Sequence, residues 1–331
     1  MKLAYAIIGM QYGSEAKGAL AGYLALQNKP DICVSNWSPN AGHTFRHGDF
    51  KMVRRMLPIG SISPSCHALL LGPGSVIDIE CLAEESETVI QNIIIHPAAA
   101  IVNQHHETME KLSMGDGRST KKGVGSALAN RITRLPPYNT ASSYKTDLEK
   151  RVMNCSVDAD LYNSILDSAD VIQVEGCQGF SLSMYHGFYP YTTSRDCSIH
   201  QLKADIGWSN NRRLQVYGAV RPYPIRIADD SGPVYPDQVE LSWEDIGVEP
   251  EITTVTKKVR RVFSFSKQQL RDSCRINYPD ALYLSFCDYL NEEEEKSILE
   301  FLTEELRVPV MWSSNGPFFA DMSQVGPNYR V

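Results

Sequence analysis

The chain lacks a basic surplus. Its 331 residues carry 32 Lys and Arg against 39 Asp and Glu, a formal net charge of −7, with a pI near 5.7. A protein that wraps polymeric nucleic acid is normally basic on at least one face, so DNA and RNA are not expected partners. Free nucleotides are not excluded, because a local cradle can outweigh the global sign. Paired cysteines are also missing. The 8 Cys (33, 66, 81, 155, 177, 197, 274 and 287) contain no C-x-x-C pair, which argues against a zinc site. Apolar stretches such as Ile93 to Ile95 and Ala98 to Val102 fall far short of the roughly 20 residues a membrane span needs. No charged and apolar leader is visible, since Met1-Lys2-Leu3 opens directly on a strand-like pattern. The expected location is therefore the cytoplasm, with reduced thiols. Repeats, low-complexity tracts and clear linkers are absent too. What remains is ordinary globular composition, 43% hydrophobic and 21% charged, enough for one large domain or two moderate ones.

Residues 3–9 are apolar and β-branched and predict a buried parallel strand ending at Gly9. Gly18 to Leu26 predicts a helix that stops near Pro30. Further strands are expected at Ile32 to Val34, Ala68 to Leu71, Val171 to Val174, Leu282 to Phe286 and Val310 to Ser313, with a helix over Asp78 to Ile90. Asn291 is a natural N-cap for a helix that runs to about Arg307, and Glu292 to Glu295 place acids in its first turn, where the dipole favours them. Strands alternating with helices predict an α/β fold, a mainly parallel central sheet flanked by helices. Ligands in such folds bind outside the carboxyl ends of the strands. The Gly9 turn, Glu175-Gly176, Asp288 and Ser314-Asn315-Gly316 all fall at such ends.

The first strand runs into Gly9-Met-Gln-Tyr-Gly13-Ser14-Glu15-Ala16-Lys17-Gly18. A strand ending in Gly-x-x-x-Gly-x-x-x-Lys-Gly and leading into a helix presents backbone N–H groups and a cation to an anion. The spacing is not that of a Walker A motif. A lysine at a helix start opposes the dipole, so an anionic ligand explains Lys17 better than solvation does. Asn40-Ala-Gly42-His43-Thr44 then sets a possible acid or electrophile beside that cradle. His96, His105 and His106 show no ligand spacing and are expected at the surface. Gly115 to Gly125 is cationic and glycine-rich, and by composition alone it could be no more than a solvated loop.

Three blocks together closely resemble the adenylosuccinate synthetase family. Its Gln-Trp-Gly-Asp-Glu-Gly-Lys-Gly is matched by Gln11 to Gly18, with Ser14 in the place of the Asp, and its Asn-Ala-Gly-His-Thr is matched in full by Asn40 to Thr44. Glu175-Gly-Cys-Gln178-Gly and His186-Gly-Phe-Tyr-Pro-Tyr-Thr192-Thr193-Ser194 match a third block. The resemblance implies one domain over residues 1–331, related in fold to the P-loop NTPases. It also implies a C–N ligase using Mg2+ and a nucleoside triphosphate. By resemblance Gly13, Glu15, Ala16, Lys17, Gly18, Gly42, His43 and Thr44 bind the triphosphate, and Ser14, His43 and Lys17 occupy the catalytic positions. The Gly42 carbonyl and position 14 face the Mg2+. Asn40, Ser119, Thr120, Gln178 and Thr193 hold the purine monophosphate, with Thr120 on its phosphate. Arg134 matches an arginine that reaches across a homodimer to the same phosphate. Thr254, Val255, Thr256, Arg260 and Arg261 resemble a loop that clamps the carboxylates of L-aspartate, where two arginines suit two carboxylates. Read without the family, this stretch could be a basic, solvated strand edge. Asp288, Ser314 and Gly316 match the donor-base pocket. Phe286 stands where typical members carry a lysine, so ATP or dATP is expected as donor more than GTP.

Ser14 is the informative departure. The aspartate it replaces acts in the family as general base at purine position 1. A serine hydroxyl has no base strength at neutral pH unless activated. It is smaller, and its oxygen can accept a hydrogen bond from a 2-amino group. Bacteriophage members of the family that serve 2-aminoadenine DNA share this replacement and condense dGMP, rather than IMP, with L-aspartate. The resemblance therefore implies dGMP as substrate, Ser14 as its reader, and the host cytoplasm as the place of action. A conventional IMP enzyme and a non-catalytic nucleotide-binding paralogue are the alternatives.

Overall fold

The computed structural model describes residues 2–113, 119–134, 136–227, 230–252 and 258–326. The chain opens with β1 (Leu3–Gly9), α1 (Lys17–Asn28), β2 (Ile32–Ser35), an antiparallel hairpin of β3 (His43–His47) and β4 (Phe50–Arg54), and β5 (Ala68–Leu71). β1 lies near the middle of a ten-stranded sheet. The strand order is Met322–Gln324, Val310–Ser314, Ala281–Leu284, Gln215–Val220, β1, Val171–Glu175, β2, β5, Asn92–Ile95 and Cys155–Val157. Every neighbouring pair is parallel except the one made by the Met322–Gln324 edge strand. Crossover helices cover both faces of such a sheet, which is why its central strands are largely apolar, Gln173 and Glu175 being buried exceptions.

The two faces separate by strand periodicity. Tyr5 and Ile7 of β1 point into a core shared with Leu20 and Leu24 of α1 and with Cys33 and Leu69. Ala4, Ala6 and Ile8 point into the opposite core with Val34, Leu70, Val174 and Leu282. Helix α1 has no side-chain N-cap and begins after Ala16 in the left-handed region. It ends at Lys29, also left-handed, whose N–H bonds Ala25 O, and Pro30 prevents continuation. Gly18 and Gly22 lie one turn apart on the face that meets β3. A Cβ on Gly18 would sit 2.7 Å from the Thr44 backbone, and one on Gly22 would sit 2.2 Å from the Phe45 ring. Two absent side chains therefore let the hairpin lie directly on the helix that carries Lys17.

Several boundaries differ from expectation. The helix expected over 78–90 spans Ile79–Ser86, with Asp78 as N-cap accepting from Cys81 N. The last helix starts at Glu292 behind a complete Asn291/Glu294 capping box, then widens into a π-turn at Phe301–Glu305. The strand expected over 282–286 is Ala281–Leu284, because Phe286 turns to φ 56°. His43 itself opens a strand, β3. His106 is not at the surface. It is buried, and its Nδ1 accepts from Asn103 N while Asn103 Oδ1 accepts from His106 N, which ties down the start of the Gln104–Ser113 helix. His96 is half-buried, with its ring edge-on to Tyr162. No helix among the described residues is long and apolar enough to cross a membrane.

Candidate functional site

The β1–α1 turn is built around a buried carboxylate. Glu15 is fully buried, and its Oε1 accepts from Gln11 N at 3.1 Å and Gly13 N at 2.7 Å. Its Oε2 accepts from Lys17 Nζ at 2.8 Å. The turn needs three left-handed residues, Gly13 (φ 88°), Ser14 (φ 61°) and Ala16 (φ 57°), a conformation in which successive N–H groups converge to form an anion-binding concavity. Gly9 must be glycine, since a Cβ there would lie 2.6 Å from Glu15 Oε2 and 2.8 Å from Lys17 Nζ. Ser14 projects outward, exposed, from this tightly held backbone. Tyr12 is turned the other way: it is buried against Tyr235 and Phe263, and its hydroxyl donates to Gln238 Oε1.

His43 comes to the cradle on β3. Its ring packs edge-on to Trp37 with centroids 4.3 Å apart, and its Nδ1 lies 3.6 Å from Glu175 Oε2. Glu175, at the carboxyl end of its strand, is itself fixed by Ile59 N, Gly60 N and Gln173 Nε2. Burial pushes the His43 pKa below its usual value. Glu175 opposes this shift and the Lys17 charge reinforces it. His43 Nδ1 is buried without a hydrogen-bond partner. Gly42 and Thr44 are exposed beside it.

Gln178, left-handed at φ 60°, donates from Nε2 to Asn40 Oδ1 at 3.3 Å, and Ser38 Oγ donates to the same oxygen. A Cβ on Gly179 would lie 2.2 Å from Gly13 N, so the Gln178 turn lies against the cradle. Thr193 is half-buried and tied by its N–H to Leu182 O. Ser119 Oγ donates to Glu110 Oε2, which also accepts from Gly123 N, while Glu110 Oε1 accepts from Gly125 N. A buried carboxylate thus anchors the start of the Val124–Thr133 helix and the segment carrying Thr120. Arg134 caps that helix in the left-handed region and is exposed.

The two arginines expected to act together occupy different settings. Arg260 Nη1 reaches to 3.5 Å from Ser14 Oγ. Arg261 forks onto Glu240, with bonds of 2.8 and 2.6 Å, and also donates to Ser231 Oγ and Gly232 O. Arg261 opens the Arg261–Phe263 strand while Arg260 lies just before it, and only Arg260 is brought to Ser14. Thr254, Val255 and Thr256 lie outside the described residues. Asp288 is exposed beyond the left-handed Phe286 turn, and burial of its surroundings raises its pKa. Ser314 Oγ meets Tyr283 OH at 2.7 Å. Gly316 has no room for a Cβ, which would lie 2.4 Å from Asp321 Oδ2.

Sequence reasoning missed Arg221. It is fully buried, in the segment after the Gln215–Val220 strand, and touches Ser14, Glu251 and Phe286. Its only signal was a charged residue closing an apolar strand at the ligand-binding end.

A phosphate cradle with a lysine, an imidazole against a carboxylate, and an arginine beside an exposed serine converge at the carboxyl ends of the central strands. The adenylosuccinate synthetase family model matches residues 6–136 and 136–301. The chain belongs to the adenylosuccinate synthetase family. It is 39% identical over 346 residues to the N6-succino-2-amino-2'-deoxyadenylate synthase of Acinetobacter phage SH-Ab 15497, covering 92% of this chain and 89% of that one. A solved structure of the cyanophage S-2L succinoaminodeoxyadenylate synthetase, bound to dGMP and to dATP as an energy donor, superposes with a TM-score of 0.93 at 39% identity, covering 98% of this chain and 95% of that one. Adenylosuccinate synthetase from Plasmodium falciparum shares the fold, with a TM-score of 0.80 at 20% identity over 97% of this chain and 99% of that one.

Proposed function

We propose that the chain condenses dGMP with L-aspartate, driven by a nucleoside triphosphate, to give 2-amino-2'-deoxy-N6-succinyladenylate. The observation that carries this reading is the exposed hydroxyl of Ser14 on a turn held in place by the Gly13 N–H bond to Glu15 and the Ser14 carbonyl bond to Arg221. A hydroxyl there accepts from the 2-amino group of a guanine. The similarity to phage synthases, and a neighbouring structure that holds dGMP and dATP, support the same substrate pair.

In this reading Lys17 and the Gly9–Gly18 amides hold the triphosphate. The dGMP 6-oxygen attacks the γ-phosphorus, the bond to the β,γ-bridging oxygen breaks, and the N1 proton leaves to solvent at the mouth beside Ser14. His43, which takes up a proton from solvent as the triphosphate binds, donates a hydrogen bond to the moving phosphoryl group, and Glu175 stabilises that imidazolium. The amine of L-aspartate, with a carboxylate against Arg260, then attacks C6, expels phosphate and loses a proton. Arg261 joins the clamp if Glu240 releases it. Thr254, Val255 and Thr256 complete that loop.

Asn40, Ser119, Thr120, Gln178 and Thr193 hold the monophosphate, and Arg134 reaches it from a second copy in a homodimer. The donor base lies by Asp288, Ser314 and Gly316, with ATP or dATP favoured over GTP. Among the described residues no group of three His, Cys, Asp or Glu could hold a metal alone. The hard oxygens of Ser14 and Gly42, both exposed, fit a Mg2+ ion that arrives with the triphosphate. There it would neutralise phosphate charge. The expected place of action is the cytoplasm of a phage host.

The test crosses dGMP, GMP and IMP against dATP, ATP and GTP, with L-aspartate and Mg2+, and detects succinylated product by mass. Product from dGMP and none from IMP is expected. Turnover of IMP alone would return the chain to ordinary adenylate synthesis, and nucleotide binding with no turnover would favour a non-catalytic paralogue.

A further inference from the structure

Arg221 links three parts of the site that the sequence leaves far apart. Its backbone is locked to the cradle, with Arg221 N donating to Gln11 Oε1 at 2.8 Å and Gln11 Nε2 donating to Arg221 O at 3.0 Å. Its side chain is fully shielded from solvent. Nη1 donates to the carbonyl of Ser14 at 3.1 Å, and Nη2 donates to Glu251 Oε1 at 2.6 Å. The guanidinium also lies over the face of Phe286, with Cζ 4.1 Å from the ring centroid. Nε is buried with no hydrogen-bond partner. Glu251 O accepts from Arg260 N, and Arg260 reaches back to Ser14 Oγ. One rigid planar cation therefore touches the purine-reading turn, the donor-base turn and the start of the arginine segment. A planar guanidinium fixes the relative orientation of its partners in a way a lysine ammonium does not, and its stacking on an aromatic face is directional.

We infer that Arg221 is a positioning residue that couples the donor-nucleotide pocket at Phe286 to the purine-monophosphate pocket at Ser14, so that occupancy of one strengthens binding in the other. The inference rests on the proposed reading only for the identity of the two ligands. A ligand that settles the Phe286 turn also settles the guanidinium, and the guanidinium holds the Ser14 carbonyl. By reciprocity the purine monophosphate must tighten the triphosphate by the same factor.

The test is calorimetric titration of the full chain with the β,γ-imido analogue of dATP and Mg2+, alone and with saturating dGMP or, in parallel, IMP. In the unmodified protein dGMP is expected to tighten the analogue on the order of 10-fold, within the usual range of such couplings. In Arg221→Met and in Phe286→Leu the factor should fall below about 2-fold, whatever the change in affinity of the analogue measured alone. Arg221→Lys, which keeps the charge but not the plane, should resemble Arg221→Met. If Arg221→Met does not fold, Phe286→Leu decides, since it leaves the buried cation in place. A coupling factor unchanged in the variants, or weaker binding of each ligand alone with coupling intact, would assign Arg221 a purely structural part and overturn the inference. Absence of coupling with either purine in the unmodified protein would overturn it as well. Coupling with IMP and not dGMP would sink the substrate assignment and leave the role of Arg221 standing.

Discussion

Replacing Ser14 by aspartate tests the substrate reading most directly. The backbone should tolerate the change. Ser14 sits at φ 61°, a region that aspartate enters more readily than most residues, and its structural bond is made by its carbonyl, which accepts from Arg221 Nη1 at 3.1 Å. The cost falls on the ligand. Loss of a hydroxyl suited to the 2-amino group removes about 1 kcal/mol. Crowding by the longer side chain adds about 1–3 kcal/mol. At 1.4 kcal/mol per decade, kcat/KM for dGMP should fall roughly 30- to 1,000-fold. The new carboxylate also lies in reach of Arg260, whose Nη1 is already 3.5 Å from Ser14 Oγ, so the KM for L-aspartate should rise. Initial rates with dGMP and with IMP, beside a melting curve, separate these effects from unfolding. A dGMP rate equal to or above that of the unmodified chain would refute the reasoning.

Three further outcomes follow from the geometry. Lys17→Met strands a fully buried Glu15 carboxylate, and the loss of one partner of such a pair costs about 3–5 kcal/mol. Adding Glu15→Gln should restore part of this in urea unfolding, and a double variant no more stable than the single would contradict the pairing. Gly22→Ala gains about 1 kcal/mol of helix propensity but drives a methyl to 2.2 Å from the Phe45 ring. The net result should be a lower unfolding midpoint, and an unchanged or higher one would mean that the hairpin does not rest on this helix. For His43, burial holds the folded pKa below the unfolded value of about 6.5. Its contribution to stability is therefore fully present above that value and is lost as pH falls toward the folded pKa. His43→Gln should flatten the stability loss below pH 6.5 without abolishing it, because His96 and His106 are shifted the same way. Triphosphate binding should draw a proton onto His43, seen as a buffer-dependent binding enthalpy near pH 7 that disappears in His43→Gln.

Much of the central sheet was legible because β1, β2 and β5 are short, largely apolar runs, and the Val171–Glu175 strand ends at a glycine, the pattern of strands buried on both faces. The phosphate cradle was legible because its constraint is local: left-handed backbone and close approach demand glycine at fixed spacing. The strands Asn92–Ile95, Cys155–Val157 and Gln215–Val220 were not identified: the second has only three residues, and Gln215 and Gly218 break the apolar run of the third. His106 was misplaced because its partner is a backbone amide of Asn103, which leaves no trace in side-chain spacing. The arginine segment suggested two equivalent cations, whereas pairing of the Arg261–Phe263 strand with Glu240–Leu241 puts Arg261 on Glu240. Arg221 was missed for the opposite reason, since everything it touches is distant in sequence.

The turn at Ser14 divides labour between main chain and side chain. Its amide neighbours and its carbonyl hold the loop, while the hydroxymethyl group faces solvent near one loosely placed arginine. Scaffold and reader are thus separable at a single codon. If Ser14 reads the purine as proposed, a change there should alter which purine is accepted and leave the lysine, the imidazole and the amides of the turn in place. A catalyst arranged this way can acquire a new substrate in one step and stay folded while it does so, which makes position 14 the natural starting point for retargeting the enzyme to other 2-substituted purines.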